Sequence, residues 1–248
     1  MKRLLASGSG AIYQICKVFR QGEAGQYHNP EFTLIEWYQP GMHYRELMEQ
    51  LDELVRLLLK DTLTLTKSIL LTYQQAFEKF AGINPHTANR QQLQMVISKN
   101  NIQLHKESLT HDACLDLIMS YLVQPALPKG RPVFIYDYPA TQAALATIRK
   151  GKVDVAERFE LFINRVELAN GYQELLNANE QQARFENENK QRLAAGQQIT
   201  PVDEHLIEAL QQGMPMTSGV ALGFDRLLML ATGKNTLQDV IAFSIDKA

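Results

Sequence analysis

Two runs rich in β-branched and aromatic residues, Ala11–Arg20 and Glu31–Tyr38, flank the loop sequence QGEAGQYHNP, whose glycines and Asn-Pro interrupt regular structure. Strands separated only by a loop pair antiparallel, because a parallel crossover needs a dozen or more residues and usually a helix. This juxtaposition limits the fold more than any other feature. It points away from a doubly wound sheet and towards an α+β fold, an antiparallel sheet flanked by helices.

The rest of the chain fits that class. His43–Lys60 places Leu47, Leu51, Leu54 and Leu58 at helical spacing between charges, an amphipathic helix. Thr72–Ala81 reads as a short helix, and the stretch from there to Lys106 as polar and irregular. Asp112–Val123 reads as helix, and Val133–Tyr138 as a short buried strand closed by Pro139. Val153–Leu176 reads as one or two strands broken at Asn170-Gly171, followed by a polar, solvated helix in NANEQQARFENENKQRLAAG. Asp203 is placed to cap a helix through Leu210, and Met216–Leu222 is a strand leading into a helix over Gly223–Ala231. At 248 residues and 45% hydrophobic, the chain can bury a large core as one domain over 1–248.

Composition excludes several classes. A net charge of −2 supplies no basic field for nucleic acid. Cys16 and Cys114 are too few for a disulfide framework, so a reducing cytoplasm is expected. No apolar run approaches the ~20 residues that span a bilayer, and MKRLLASGSG is not a signal peptide.

Strand parity then locates candidate chemistry. Phe32, Leu34, Glu36 and Tyr38 share one face, with Phe32 and Glu36 about 13 Å apart. That face suits a ligand with a stacking ring at one end and a cation at the other, with Arg20 available to an anionic centre between them. An ordinary hairpin, with Phe32 in the core and Glu36 paired to a lysine, fits the same spacing. In VELANGYQEL, Glu167 and Glu174 are seven apart and would face opposite ways unless a bulge or turn at Asn170-Gly171 restored a common face. Converging carboxylates there would suit Mg²⁺, and two exposed surface glutamates are the alternative. In SGVALGFDRLLML, Gly219 and Gly223 permit close backbone approach before a helix. Arg226 sits in that helix's first turn against dipole preference, which favours a ligand phosphate or aromatic face as its partner.

Together these segments resemble class II aminoacyl-tRNA synthetases. FRQGEAGQYHNPEFTLIEWY, within about 11–38, resembles motif 2 of the lysyl type. GVALGFDRLLML, within about 217–231, resembles motif 3, and VELANGYQEL the lysyl-type segment between them. MKRLLASGSGAIYQICKVFRQGE, RFELFINRVELANGYQEL, GMPMTSGVALGFDRLLML and the terminal DVIAFSIDKA are most similar to the lysyl-tRNA synthetase paralogues that attach β-lysine to elongation factor P. The resemblance implies an ATP- and Mg²⁺-dependent ligase that activates lysine or β-lysine as an aminoacyl-adenylate and passes it to a lysine of elongation factor P. By the same resemblance, Arg20 and Arg226 are catalytic. Arg20, Glu23, His28, Phe32, Glu167, Gly223 and Arg226 bind ATP, with Glu167 and Glu174 carrying the metal. Glu36, Tyr38, Asn170, Glu174 and Ala221 receive the lysine.

Three positions depart from the synthetase pattern. The usual motif 2 glutamate is Gly22 here, with the acid one residue later at Glu23. Ala221 replaces the glycine of lysyl-tRNA synthetases, as in the paralogues, and its methyl narrows the pocket in favour of a displaced β-amine. The sequence starts just before motif 2, so the resemblance leads one to expect a chain without motif 1, which builds the family's homodimer, and without an anticodon-binding domain, either through an internal methionine start or through a real truncation. Two alternatives accompany the ligase: a lysyl-tRNA synthetase core that charges tRNA, against which Ala221 and the acidic balance count, and a truncated, non-catalytic ATP-binding paralogue.

Overall fold

The structure, a computed structural model, describes residues 1–103 and 109–247. The last residues of the stretch expected to be irregular, from 104 to 106, and the terminal Ala248 lie outside the described residues. In chain order the elements are α1 (Lys2–Ala6), β1 (Ile12–Phe19), β2 (Glu31–Pro40), α2 (Tyr44–Leu59), β3 (Ile69–Thr72), α3 (Tyr73–Ala81) and α4 (Arg90–Lys99). Then come α5 (His111–Ile118), which continues through a π-helical turn, Met119–Val123, into α6 (Gln124–Ala126), and β4 (Pro132–Pro139), β5 (Ile148–Arg149), β6 (Val155–Ile163) and β7 (Val166–Gln173). The chain closes with α7 (Ala178–Ala194), α8 (Glu204–Gln212), β8 (Thr217–Gly223) and α9 (Phe224–Ala231).

The sheet runs in the order β1-β2-β8-β7-β6-β4-β3, with β5 paired to β6. The opening hairpin forms as expected, from Ile12↔Tyr38 to Phe19↔Glu31. One edge departs from an all-antiparallel sheet: β3 lies parallel to β4. Its four residues are too few to show a strand pattern in the sequence. A second departure is α4, in the stretch expected to be irregular. Asn89 and Gln92 form a reciprocal capping box there, each side chain accepting the other's backbone N–H at 3.0 and 2.8 Å.

One sheet face is closed by α2 and α9. His43 caps α2, and Glu46 accepts the His43 backbone N–H at 2.8 Å. The buried stripe of α2 is Tyr44, Leu47, Met48, Leu51, Val55 and Leu59, while Leu58, expected on that stripe, is exposed. It packs on Trp37, Val220, Leu222 and Leu161, which alternate with residues of the opposite face. On that opposite face, α3, α4 and α5 cover Val133, Ile135 and Phe162 near the β3 edge. The part over β2, β8, β7 and β6 is left open as a cavity.

The strand break expected at Asn170-Gly171 lies elsewhere. The chain turns at Asn164 and Arg165, which have φ of 52° and 73°, and Asn170-Gly171 sits within β7, paired to both neighbours. Gly171 is required there by packing, not by turning. A Cβ at that position would overlap the Phe159 ring and stand 3.0 Å from the Gly219 carbonyl oxygen.

Candidate active site

The cavity, about 400 Å³, has its floor on four adjacent strands. Pairing places Glu36 beside Ala221, Ala221 beside Asn170, and Asn170 beside Glu160. At ~4.8 Å per strand, this row spans about 14 Å. The next row runs Tyr38, Gly219, Tyr172, Arg158. Phe32 and Leu34 line the cavity from β2, and Glu36 and Tyr38 continue the same face beyond them, so the parity argument holds. The Tyr38 hydroxyl donates to Glu36 Oε1 at 3.4 Å. Burial and the charges of Glu174 and Glu36 raise its pKa, so it stays a donor.

Gly219 lets this end close. A Cβ there would lie 2.5 Å from the Tyr38 ring and 2.6 Å from Glu174 Oε1. Behind it, Glu174 is 2% exposed and forms an ion pair with Lys2 Nζ at 2.5 Å. Burial raises the Glu174 carboxyl pKa, and Lys2 opposes the rise. Glu174 therefore stands beside Tyr38 and Gly219 but apart from the cavity lining, with its charge already met.

The acid that joins Glu167 is Glu160, not Glu174. A bulge lies where Leu161 pairs with Ala169 but Phe162 pairs with Glu167, leaving Leu168 as the extra residue. The bulge swings Glu167 onto the face of Asn170 and Tyr172, and Leu168 and Ala169 are both buried in succession. Glu160 and Glu167 line the same cavity. Burial, then the charge of Glu160, pushes the Glu167 carboxyl up to about 7 against the opposing pull of Arg226. Two carboxyls that repel in this way fit a divalent cation between them. Among the described residues no group of three or more His, Cys, Asp or Glu is arranged for a metal.

Arg226 is fixed by three partners. Nε donates to the Tyr27 carbonyl at 3.0 Å, Nη1 to the Glu167 carbonyl at 2.8 Å, and Nη2 lies 2.9 Å from His28 Nε2. A guanidinium only donates, so His28 Nε2 is the acceptor and the ring is neutral. Burial and Arg226 lower the His28 pKa accordingly. The neighbouring Asp225, 6% exposed, accepts the Thr33 backbone N–H at 2.6 Å and ties α9 to β2. Arg20 lies 5.4 Å from the Phe32 ring centroid and pairs with Glu23 at 3.2 Å. The shifted acid is thus within the site, and Gly22 supplies the turn with φ of 79°.

Of the residues expected from the sequence, the cavity lining gathers Arg20, Glu23, His28, Phe32, Glu167 and Asn170, with Ala221, Gly223 and Arg226. Sequence reasoning missed Glu160, Arg158 and Asn29, which also line it. Asn29 is held by an Nδ2–H bond to the Glu31 carbonyl and accepts the Ile245 backbone N–H. Placing the turn at Asn164-Arg165 in FINRVEL would have revealed Glu160, since it folds RFE back over ELANG.

The sequence matches the family described as tRNA synthetases class II (D, K and N) over residues 1–247. An "Elongation factor P--(R)-beta-lysine ligase" of Edwardsiella ictaluri (strain 93-146) is 48% identical over 251 residues, covering 100% of this chain and 75% of its own. A protein of the same description from Pseudoalteromonas translucida (strain TAC 125) is 47% identical over 249 residues, covering 100% of this chain and 76% of its own.

Proposed function

The chain belongs to the class II tRNA synthetase family, and from that premise we propose that it activates lysine or β-lysine with ATP and transfers the acyl group to a lysine of elongation factor P. The observation that carries this reading is the order of groups along one sheet face. Phe32, Arg226 and His28 line the cavity, Ala221 and Asn170 line its floor, and Glu36 and Tyr38 continue that face just beyond the lining, with Glu36 paired beside Ala221.

In the first step a substrate carboxylate oxygen attacks the α-phosphorus of ATP in line, and pyrophosphate leaves. Arg20 holds the α-phosphate and the carboxylate, so it offsets charge that grows as the acyl-phosphate forms. The adenine stacks between Phe32 and Arg226, and His28 touches the phosphate tail. Glu36 accepts the substrate's side-chain ammonium, with Tyr38 and Asn170 completing the polar shell. Glu174 stands behind them, its charge balanced by Lys2. Mg²⁺, when bound, neutralises phosphate charge, and Glu160 and Glu167 are the carboxylates to hold it. Glu160 takes the place first assigned to Glu174. Positioning supplies most of the rate, as expected of phosphoryl chemistry.

In the second step the acceptor amine attacks the adenylate carbonyl, and AMP leaves. The β-amine preference rests on Ala221, whose methyl stands in the floor between Glu36 and Asn170. ATP–pyrophosphate exchange with lysine and β-lysine, followed by mass analysis of elongation factor P, tests the reading. Exchange with a mass increase on the factor is expected. No exchange with either amino acid refutes the proposal, and charged tRNA without a mass shift replaces the acceptor.

A further inference from the structure

A second cavity, about 240 Å³, adjoins the first and shares Arg158, Glu160 and Glu167 with it. Its outer wall comes from the helical segment that covers the β3 edge. Asp116 and Ser120 stand exposed at the mouth, and Tyr138 and Phe162 are buried at the base. Resting on the reading above, the geometry points to this second cavity as the entry for the acceptor protein's lysine side chain, and to Asp116 as the residue that receives it.

Four observations carry the inference. First, the second cavity meets the first at Glu160 and Glu167, so with an adenylate in the first cavity, as proposed above, it offers an acceptor amine a separate approach to the acyl carbonyl. Second, the mouth favours a cation: with Glu160 paired to Arg158 and Glu167 at the first cavity, Asp116 is the carboxyl left at the mouth among the described lining residues. Arg158 is already engaged by Glu160 at 2.5 Å and by the Gln142 carbonyl at 2.9 Å, and lies 4.4 Å from the Tyr138 ring centroid. Among the described residues the Gln142 amide is the one hydrogen-bond donor to Asp116, at 2.8 Å, and partial desolvation in the cavity wall together with the charge of Asp112 raises its pKa.

Third, the walls fit a lysine's four-carbon stem, with Met119, Phe162 and the Tyr73 and Tyr138 rings offering apolar surface between the acidic mouth and the acidic base. The Tyr138 side chain is 3% exposed, and its hydroxyl feels Glu160 most strongly of the charges around it. Fourth, Met119 and Ser120 belong to the π-helical turn, a departure from α-geometry that recurs at functional sites.

The step balances as follows. The entering ammonium loses a proton, and its nitrogen attacks the adenylate carbonyl carbon. The C–N bond forms, the bond from that carbon to the phosphate oxygen breaks, and AMP departs with the electron pair. The second nitrogen-bound proton is then lost, so amide, AMP and two protons result.

The test separates the two half-reactions in Asp116→Asn and Asp116→Lys chains, whose exposed position spares the core. Preformed adenylate is mixed with elongation factor P in single-turnover transfer, and pyrophosphate exchange is measured alongside. The expected result is transfer slowed about tenfold in Asp116→Asn and more in Asp116→Lys, with a raised half-saturating factor concentration and normal exchange. Transfer equal to that of the unaltered chain overturns this inference alone. A raised KM for lysine in exchange also overturns it, since the cavity then serves the substrate's own amine. Failure of exchange in the unaltered chain overturns the proposed function, and this inference with it.

Discussion

Lys2 and Glu174 form the most consequential charge pair outside the cavity lining. Their side chains are 13% and 2% exposed, and Nζ lies 2.5 Å from Oε2. Lys2→Met retains much of the stem's packing but removes the ammonium, leaving a buried carboxyl without its cation. Breaking a buried pair from one side costs about 3–5 kcal/mol. In a chain of this size each kcal/mol shifts Tm by ~2–4 °C, so a fall of about 6–20 °C is expected near pH 8. The pH dependence has a definite sign. The folded-state pKa of Glu174 is raised, and losing Lys2 raises it further. An acid whose folded pKa lies above its unfolded value destabilises the fold as pH climbs and it ionises. The deficit of Lys2→Met relative to the parent should therefore be larger at pH 8 than at pH 5. Glu174→Gln added to Lys2→Met removes both charges and should recover most of the loss, a coupling that a double-mutant cycle in urea measures directly. A Lys2→Met chain within about 0.5 kcal/mol of the parent at pH 8, or a double mutant no more stable than the single, would refute the pairing.

Other outcomes follow from the same geometry. Ala221→Gly removes the methyl between Glu36 and Asn170 and should shift exchange towards α-lysine; an unchanged preference takes Ala221 out of the specificity argument. Asp225→Ala unties Thr33 from α9, which should cost about 1–3 kcal/mol in denaturant titration and raise the KM for ATP more than that for lysine. Glu167, pushed up to about 7, lies above its unfolded value, so the metal-free chain should lose stability as pH rises from about 5 to 7. Thermal melts with and without Mg²⁺ should show the ion restoring more at the upper pH. Gly171→Ala drives a methyl into the Phe159 ring and should destabilise by about 1–3 kcal/mol, read as a lower denaturation midpoint.

Residues whose placement depends on local rules were legible in the sequence. Alternation along Glu31–Tyr38 put Phe32 and Glu36 on one face, and the loop of glycines and Asn-Pro made β1 and β2 an antiparallel pair. Both need only the two-residue period of an extended chain. Asp203 likewise caps α8 through a bond to the Leu206 N–H, three residues away. Tertiary structure decided what depends on partners distant in sequence. The turn fell at Asn164-Arg165 and the bulge at Leu168 because β6 and β7 must bury Phe159, Leu161 and Leu168 while Glu160 and Glu167 face the cavity. Parity counted along one strand cannot register an extra residue whose cause is the neighbouring strand. The pairing of Lys2 with Glu174 joins residues 172 positions apart, counting from 2 to 174, and brings α1 beside Tyr38 and Gly219. The sequence by itself thus determined which residues of β2 share a face. Only the folded sheet decided which carboxylate stands beside which, because charge neighbours across strands are set by register and not by spacing along the chain.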